Sequence, residues 1–243
     1  MRNDIQQARI DLAAAFRLAV RHQLHEGICN HFSLMPPGSD ELFLVNPYGL
    51  HWSEIKASDL VLLDKAGRPV EGTGEVESSA FNIHAGIHRA HPHARCVLHT
   101  HMPYATALTM IEDGRLEPAL QTALRFKDAI AYDEDFNGIA DAAEGARMAA
   151  RLLGDKEVLF LANHGVIVVG ATVGVAFDAL YYLERAAQAQ CIAMATGKPL
   201  RLVRTEVAER TRADFAQFRP VYAERHFEAL KRQLDRDEPD YAQ

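Results

Sequence analysis

The strongest constraint on the fold is the alternation of short apolar runs of strand type with longer segments of helical periodicity. The spacing of apolar residues over 5–25 predicts an amphipathic helix. Two runs at 32–35 and 41–45, which flank a Pro-Pro-Gly-Ser turn, are typical of a β-hairpin. This alternation favours a layered α/β domain in which the early hairpins add antiparallel character.

Further along the chain the same alternation continues. Predicted strands lie at 61–63, 96–101, 158–162 and 166–169, and predicted helices at 78–90, 104–111, 140–153 and 173–196. The serines Ser78 and Ser79 are N-cap candidates for the helix that they begin. No internal repeat, low-complexity stretch or linker divides the sequence, so 1–243 is predicted as a single domain, with 205–243 as a peripheral helical extension.

Composition narrows the function classes. A net charge of -7 without a basic tract argues against nucleic acid as a partner. No apolar run approaches the roughly 18–20 residues that a membrane span needs, and the polar N-terminus does not resemble a signal peptide, so a cytoplasmic location is expected. The three cysteines, Cys29, Cys96 and Cys191, are too scattered for a disulfide framework or a thiolate zinc site.

Histidines at the ends of two apolar strands are the main chemical signal. His99 and His101 are two residues apart at the end of a predicted strand, so their side chains point to the same face. His164 follows a second strand, and Gly165 permits a sharp backbone change there. Three neutral imidazoles with open coordination positions are typical of a catalytic metal site. Surface histidines or hydrogen-bonded core histidines remain the alternative, because spacing alone does not show that the two strands adjoin.

Over 26–190 the chain resembles the class II aldolase/adducin domain. The resemblance lies in EGICNHFS at 26–33, NPYGL at 46–50, ESS at 77–79 followed by Ile83-His84, VLHTH at 97–101, NHG at 163–165 and YLE at 182–184. It implies a three-layer α/β/α sandwich with a central, mainly antiparallel or mixed sheet. It also implies one divalent metal held by His99, His101 and His164, and a homotetramer with the site near a subunit boundary. Zinc is the default expectation for imidazole ligands, with manganese, cobalt or iron as alternatives.

The sequence departs from the sugar-phosphate aldolases at two places. The glutamate that follows their paired serines, a metal ligand and acid/base, is Ala80 here. Glu75 and Glu77 are near enough to replace it, although both also fit as solvated carboxylates at a helix start. In the loops that hold substrate phosphate in these aldolases, Tyr48 adds an aromatic side chain and His31 a titratable one. Tyr48, Gly49, Ser78 and Ser79 are expected to bind the substrate, and the changes at Tyr48 and His31 favour an aromatic or apolar carbonyl acid without phosphate.

His31 is the candidate general acid/base, with a pKa expected near neutrality, and a loop hydrogen bond is the alternative. Asn163 and Glu184 are expected to support the ligand histidines by hydrogen bonding. His84 and His88, four residues apart on one helix face, are expected to serve in packing or hydrogen bonding and not as ligands. His91 and His93 are expected to be exposed.

These features predict a metal-dependent lyase that decarboxylates a small hydroxy- or oxo-acid, or cleaves it by a retro-aldol reaction. Decarboxylation fits the missing glutamate better, because it needs an electron sink and one later proton. Two alternatives remain open: an Fe(II)-dependent oxygenase on the same fold, and a non-catalytic adducin-like scaffold, which Ala80 favours and the three retained histidines do not.

Overall fold

The computed structural model describes residues 2–135, 141–152 and 154–243, which form eight strands and six α-helices. The strands are β1 (His31–Leu34), β2 (Leu42–Val45), β3 (Val61–Asp64), β4 (Pro69–Glu71), β5 (Cys96–Thr100), β6 (Ile130–Asp133), β7 (Val158–Leu161) and β8 (Gly165–Gly170). The helices are α1 (Arg2–Arg21), α2 (Ser78–Ala90), α3 (Pro103–Thr109), α4 (Ala142–Arg151), α5 (Val173–Met194) and α6 (Thr205–Asp237). Short 3-10 helices lie at Ala57–Asp59, Gln121–Phe126 and Pro239–Ala242.

All eight strands belong to one sheet, in the order β4-β3-β2-β1-β5-β8-β7-β6. Every neighbouring pair is antiparallel except β6 and β7, which run parallel. Short connections join β1 to β2, β3 to β4 and β7 to β8, and short links of this kind pair strands antiparallel. The sheet is thus mixed and mainly antiparallel, as predicted.

Helices cover both faces of the sheet. On one face, α1, α3, α5 and α6 bury a large apolar cluster whose centre includes Phe16 and Phe177. On the other face, α2 and α4 pack over a second cluster around Ile87 and Met148. A Cβ atom at Gly86 would come within 2.8 Å of the carbonyl oxygen of Gly145, so these two helices meet backbone to backbone. This arrangement confirms the predicted three-layer α/β/α sandwich.

Several predicted elements differ in detail from the structure. The N-cap of α2 is Glu77 and neither serine, and no side-chain hydrogen bond caps this helix. The predicted helix at 140–153 is observed as α4, while residues 140 and 153 lie outside the described residues. The C-terminal part after Thr205 is one long helix that buries Phe227 and Leu234 against the core, so it is more than an outer cover. Among the described residues, no helix combines the length and the apolar character needed to cross a membrane.

Candidate metal centre

Three histidines converge where β5 ends and β8 begins. One ring nitrogen from each of His99, His101 and His164 lies within 4.8 Å of the other two. Tetrahedral zinc, with Zn–N near 2.1 Å, separates imidazole nitrogens by about 3.4 Å, so small ring rotations would complete a site. Because β5 and β8 are neighbours in the sheet, the two strand ends that the sequence left unconnected do adjoin.

The hydrogen bonds of two of these rings leave nitrogens available to a metal. Nδ1 of His99 donates to the carbonyl oxygen of Val166 at 3.0 Å, which leaves its Nε2 unprotonated in the neutral ring. Nδ1 of His101 lies 2.6 Å from a carboxylate oxygen of Glu26, while its Nε2 is buried and has no hydrogen-bond partner within the described chain. A buried ring nitrogen without a partner is what a missing ligand would leave, so these residues fit a divalent metal.

Burial keeps two of the three candidate ligand rings, His99 and His164, neutral. Burial, and then repulsion from His31 and the other two candidate ligands, hold the pKa of His99 well below its ordinary value. Burial and the neighbouring His101 lower the pKa of His164 to about 4. Neutral imidazole is the form that binds metal, so both rings are ready to act as ligands at physiological pH.

The turn between β7 and β8 places His164 close to His101. Asn163 takes the left-handed conformation with φ of 55°, and its backbone N–H donates to the carbonyl oxygen of Thr109. Gly165 is required by close approach, because a Cβ atom there would lie 2.7 Å from the His101 ring. The sharp change of direction expected at Gly165 is made two residues earlier, at Asn163, which is exposed.

Sequence reasoning missed two residues that support His101. Glu26 bonds the His101 ring, as carboxylates that orient metal-bound histidines do. The side-chain oxygen of Asn30 accepts hydrogen bonds from the backbone N–H groups of Glu26 and His101, at 2.8 and 3.4 Å. Both residues stand in the stretch EGICNHFS, but only the fold shows that this loop lies against the end of β5.

His31 lies directly opposite His99 in the pairing of β1 with β5, and their ring centroids are 4.8 Å apart. Nδ1 of His31 is 2.7 Å from Nε2 of His84 on α2. From there Ser33 bridges His84 to Nε2 of His88, the latter contact being 2.7 Å long. Nδ1 of His88 is 2.8 Å from the carbonyl oxygen of Ala94. These contacts form one continuous hydrogen-bonded chain, which we call the histidine relay.

The carbonyl group of Ala94, at the end of the histidine relay, fixes the direction of every hydrogen bond in it. The carbonyl of Ala94 only accepts, so His88 donates from Nδ1 and accepts at Nε2 from the Ser33 hydroxyl. Ser33 then accepts from Nδ1 of His84, whose Nε2 accepts from Nδ1 of His31. Neutral His31 is left with an unprotonated Nε2, which is a hydrogen-bond acceptor.

This assignment requires neutral rings, and burial makes them neutral. Burial, followed by repulsion from His101 and His164, lowers the pKa of His31 to about 3. Burial is also the largest cause that lowers the pKa of His88 to about 4, and it holds the pKa of His84 well below its ordinary value. The near-neutral pKa expected for His31 is therefore not found, because sequence spacing did not show how deeply this ring is buried.

A cavity of about 220 Å³ lies beside the metal centre. It is lined by Ile28, Cys29, Asn30, His31, Asn46, Tyr48, Glu77, Ser79 and Ala80. Asn30 is 2% exposed, and its side-chain NH₂ has no hydrogen-bond partner among the described residues. A buried donor of this kind at a cavity wall is suited to a ligand oxygen.

The four predicted substrate-binding residues are placed differently from one another. Tyr48 and Ser79 line the cavity, and the Ser79 hydroxyl donates to the carboxylate of Glu77. Gly49 and Ser78 are exposed and outside the lining. Of the two carboxylates considered as replacements for the glutamate absent at Ala80, Glu77 lines the cavity and Glu75 does not.

Glu184 supports the metal centre indirectly, through the backbone of α3. Its two carboxylate oxygens accept hydrogen bonds from the backbone N–H groups of Tyr104 and Ala105, at 2.8 and 2.9 Å. These donors belong to the first turn of α3, where N–H groups lack partners within the helix. Glu184 therefore fixes the backbone that follows His101, and the contacts observed are with this backbone and not with an imidazole ring.

Comparison with known proteins agrees with the fold. The profile of the family described as Class II Aldolase and Adducin N-terminal domain matches residues 10–191. A Caulobacter vibrioides protein assigned to aldolase class 2 is 34% identical over 238 residues, which cover 97% of this chain and 92% of that protein. Decarboxylase NovR of Streptomyces niveus is 34% identical over 176 residues, 72% of this chain and 64% of that protein.

Among solved structures, an aldolase II superfamily protein from Pseudomonas syringae superimposes with a TM-score of 0.92 at 36% identity. The superposition covers 99% of this chain and 96% of that one. The chain therefore belongs to the class II aldolase and adducin family.

Proposed function

We propose that the chain is a divalent-metal-dependent lyase that decarboxylates a non-phosphorylated hydroxy- or oxo-acid or cleaves it by a retro-aldol reaction. The observation that carries this proposal is the buried, unpartnered Nε2 of His101 beside the neutral imidazoles of His99 and His164. A divalent metal held by His99, His101 and His164, with zinc as the first expectation, would supply Lewis-acid polarisation of substrate oxygens.

The residues around the cavity account for substrate orientation. The free NH₂ of Asn30 is placed to donate a hydrogen bond to a substrate carboxylate or carbonyl oxygen. The histidine relay leaves His31 an acceptor nitrogen, which suits a substrate hydroxyl as its donor. An acid with a hydroxyl or oxo group next to the carboxylate meets both requirements.

The cavity lining supports a substrate without phosphate. None of the nine lining residues is Lys or Arg, and Glu77 adds a carboxylate. A phosphate dianion would find no cationic side chain there and would meet Glu77 at close range. The 53% exposed Tyr48 ring instead offers an aromatic edge at the mouth, which favours an aromatic or apolar acid.

Ala80 favours decarboxylation over aldol cleavage. An alanine neither binds metal nor transfers a proton, and the nearby Glu77 is engaged with the Ser79 hydroxyl. Decarboxylation breaks the bond to the carboxylate carbon without a prior proton abstraction, and the proton that replaces carbon dioxide on the product can come from water, so the reaction tolerates this loss. The similarity to a decarboxylase of Streptomyces niveus supports the same choice.

We also propose that the protein forms a homo-oligomer, a tetramer as the family resemblance implies. The support from the structure is a set of large apolar side chains that α6 leaves exposed. Phe218, Val221 and Tyr222 are all about half exposed on this helix. Apolar side chains grouped on one helix face are typical of a subunit contact.

A non-catalytic scaffold is the second candidate, because the matching family includes adducin and Ala80 removes the usual acid/base. Release of carbon dioxide separates the two functions. The protein, reconstituted with zinc or manganese, is incubated with ortho-hydroxy aromatic acids and 2-oxo acids, before and after chelation. We expect release of carbon dioxide that chelation abolishes and that the double variant H99A/H101A lacks. Full turnover by this variant would contradict a metal role, and no turnover by metal-loaded protein across both classes would favour the scaffold.

A further inference from the structure

A second polar cavity, of about 490 Å³, lies at the opposite ends of the strands from the metal centre. Its lining includes His93 and Glu157, just before β5 and β7, whereas the metal centre lies at the other ends of these two strands. At about 3.3 Å per residue, the five residues of β5 separate the two places by about 15 Å. The cavity is therefore independent of the candidate active site.

Two buried guanidinium groups reach this cavity with hydrogen-bonding capacity unused. Arg125 donates from Nη2 to the buried carboxylate of Asp178 at 2.9 Å, and its Nε is buried without a partner. Arg219 donates from Nη1 to Glu157, and its Nη2 is likewise buried without a partner in the described chain. Both arginine side chains are at least nine-tenths buried. Each of these two carboxylates thus occupies one guanidinium nitrogen and leaves another for a ligand.

The charges around the cavity favour an anion. Four cationic side chains line it, against the two carboxylates of Asp155 and Glu157; the cations are Arg125, Lys156, Arg212 and Arg219. Burial lowers the pKa of Arg125, Asp178 opposes this, and repulsion from Arg219 lowers the pKa further, so the two guanidinium groups are close enough to repel each other. An anion between them would replace this repulsion with attraction.

Aromatic contacts hold one of these groups in a fixed orientation. The Arg125 guanidinium lies 4.1 Å from the centroid of the Tyr182 ring and 5.3 Å from that of Phe215. A planar guanidinium stacked in this way presents its N–H groups at its edge, where an oxyanion can accept two of them. Val175, Ala216 and Pro220 form an apolar part of the wall.

We propose that this cavity is a binding site for an oxyanion, a phosphate or carboxylate group, which bridges Nε of Arg125 and Nη2 of Arg219. Lys156 and Arg212, which also line the cavity, donate to the backbone carbonyl oxygens of Asp128 and Lys127 and add two cationic side chains beside the site. The apolar wall accommodates the carbon part of a small organic anion.

Isothermal titration calorimetry with phosphate and with succinate, at constant ionic strength and with chloride as the reference anion, tests the site. We expect saturable binding of at least one of the two, and the tighter one identifies a phosphate or a carboxylate as the natural group. The variant R219K keeps a cation for Glu157 but loses the second guanidinium nitrogen, Nη2, that would bind the anion. It should therefore weaken anion binding about tenfold or more.

Two further variants keep the outcome clear. R212Q removes a half-exposed cation that lines the cavity and should weaken binding about two- to fivefold, without touching a buried ion pair. R232K changes an exposed residue of the same helix, outside the cavity, and should leave binding unchanged. Absence of saturable binding of both anions to the folded protein would overturn the proposal, as would R219K that binds as tightly as R232K.

Discussion

Replacement of Ser33 by alanine tests the histidine relay most sharply. The Ser33 hydroxyl is fully buried and joins His84 to His88, donating to one ring and accepting from the other. In S33A, Nδ1–H of His84 loses its acceptor and Nε2 of His88 loses its donor. Each buried polar group left without a partner costs about 1–3 kcal/mol, so the loss of both partners should lower the free energy of unfolding by roughly 2–6 kcal/mol. This is a large part of the 5–15 kcal/mol typical of a domain.

Urea unfolding of wild-type protein and S33A measures this loss. The matched control is S58A, because the Ser58 side chain is exposed and makes no hydrogen bond within the described chain. S58A should change the free energy of unfolding by less than about 0.5 kcal/mol. Side-chain ¹⁵N NMR adds a readout of the tautomers: His31, His84 and His88 should each carry the proton on Nδ1 in the wild type. A loss below about 1 kcal/mol in S33A, or protons on Nε2 in the wild type, would refute the relay.

Two other predictions follow from the same rings. Acidification of metal-free protein should lower its stability, because His31 and His88 have folded-state pKa values near 3 and 4, below the unfolded value of about 6.5. The unfolded state therefore takes up protons first, and stability is lost as the pH falls from about 6.5 toward 4. At pH 5.5 each ring lowers the free energy of unfolding by about 1.4 kcal/mol. Urea midpoints that stay constant from pH 7.5 to 5.5 would contradict this. Substitution E26A frees the His101 ring and should therefore weaken metal affinity about tenfold or more. The control E41A removes an exposed ion pair and should leave the affinity unchanged. Competition with a chelator measures both affinities.

Local patterns in the sequence predicted the layers and the three histidines that the fold brings together. The period-two strand ending at His99 and His101 places both rings on one face whatever the rest of the chain does. A second strand that ends just before His164 is visible in the same way. The parallel edge strand β6 was not predicted, because four residues that include alanine and aspartate carry little strand signal.

Contacts between distant segments could not be predicted from the sequence. The pairing that sets His31 opposite His99 joins strands more than sixty residues apart, and nothing local specifies it. The bond from Glu26 to His101 depends on the same pairing. His91 was expected to be exposed, yet it is buried and its Nε2 lies 2.7 Å from the carbonyl oxygen of Ala149, because α4 packs over the loop that carries it. His93 is exposed, as predicted.

Metal content tests the central claim most directly. The tag-free protein, purified without chelator, and its H99A/H101A variant are analysed by mass spectrometry of the elements, after circular dichroism shows that both are folded. The three-histidine centre predicts about one zinc, manganese, cobalt or iron ion per chain in the wild type and loss of this ion in the variant. A folded wild-type protein that holds no stoichiometric metal and takes up none on reconstitution would contradict it.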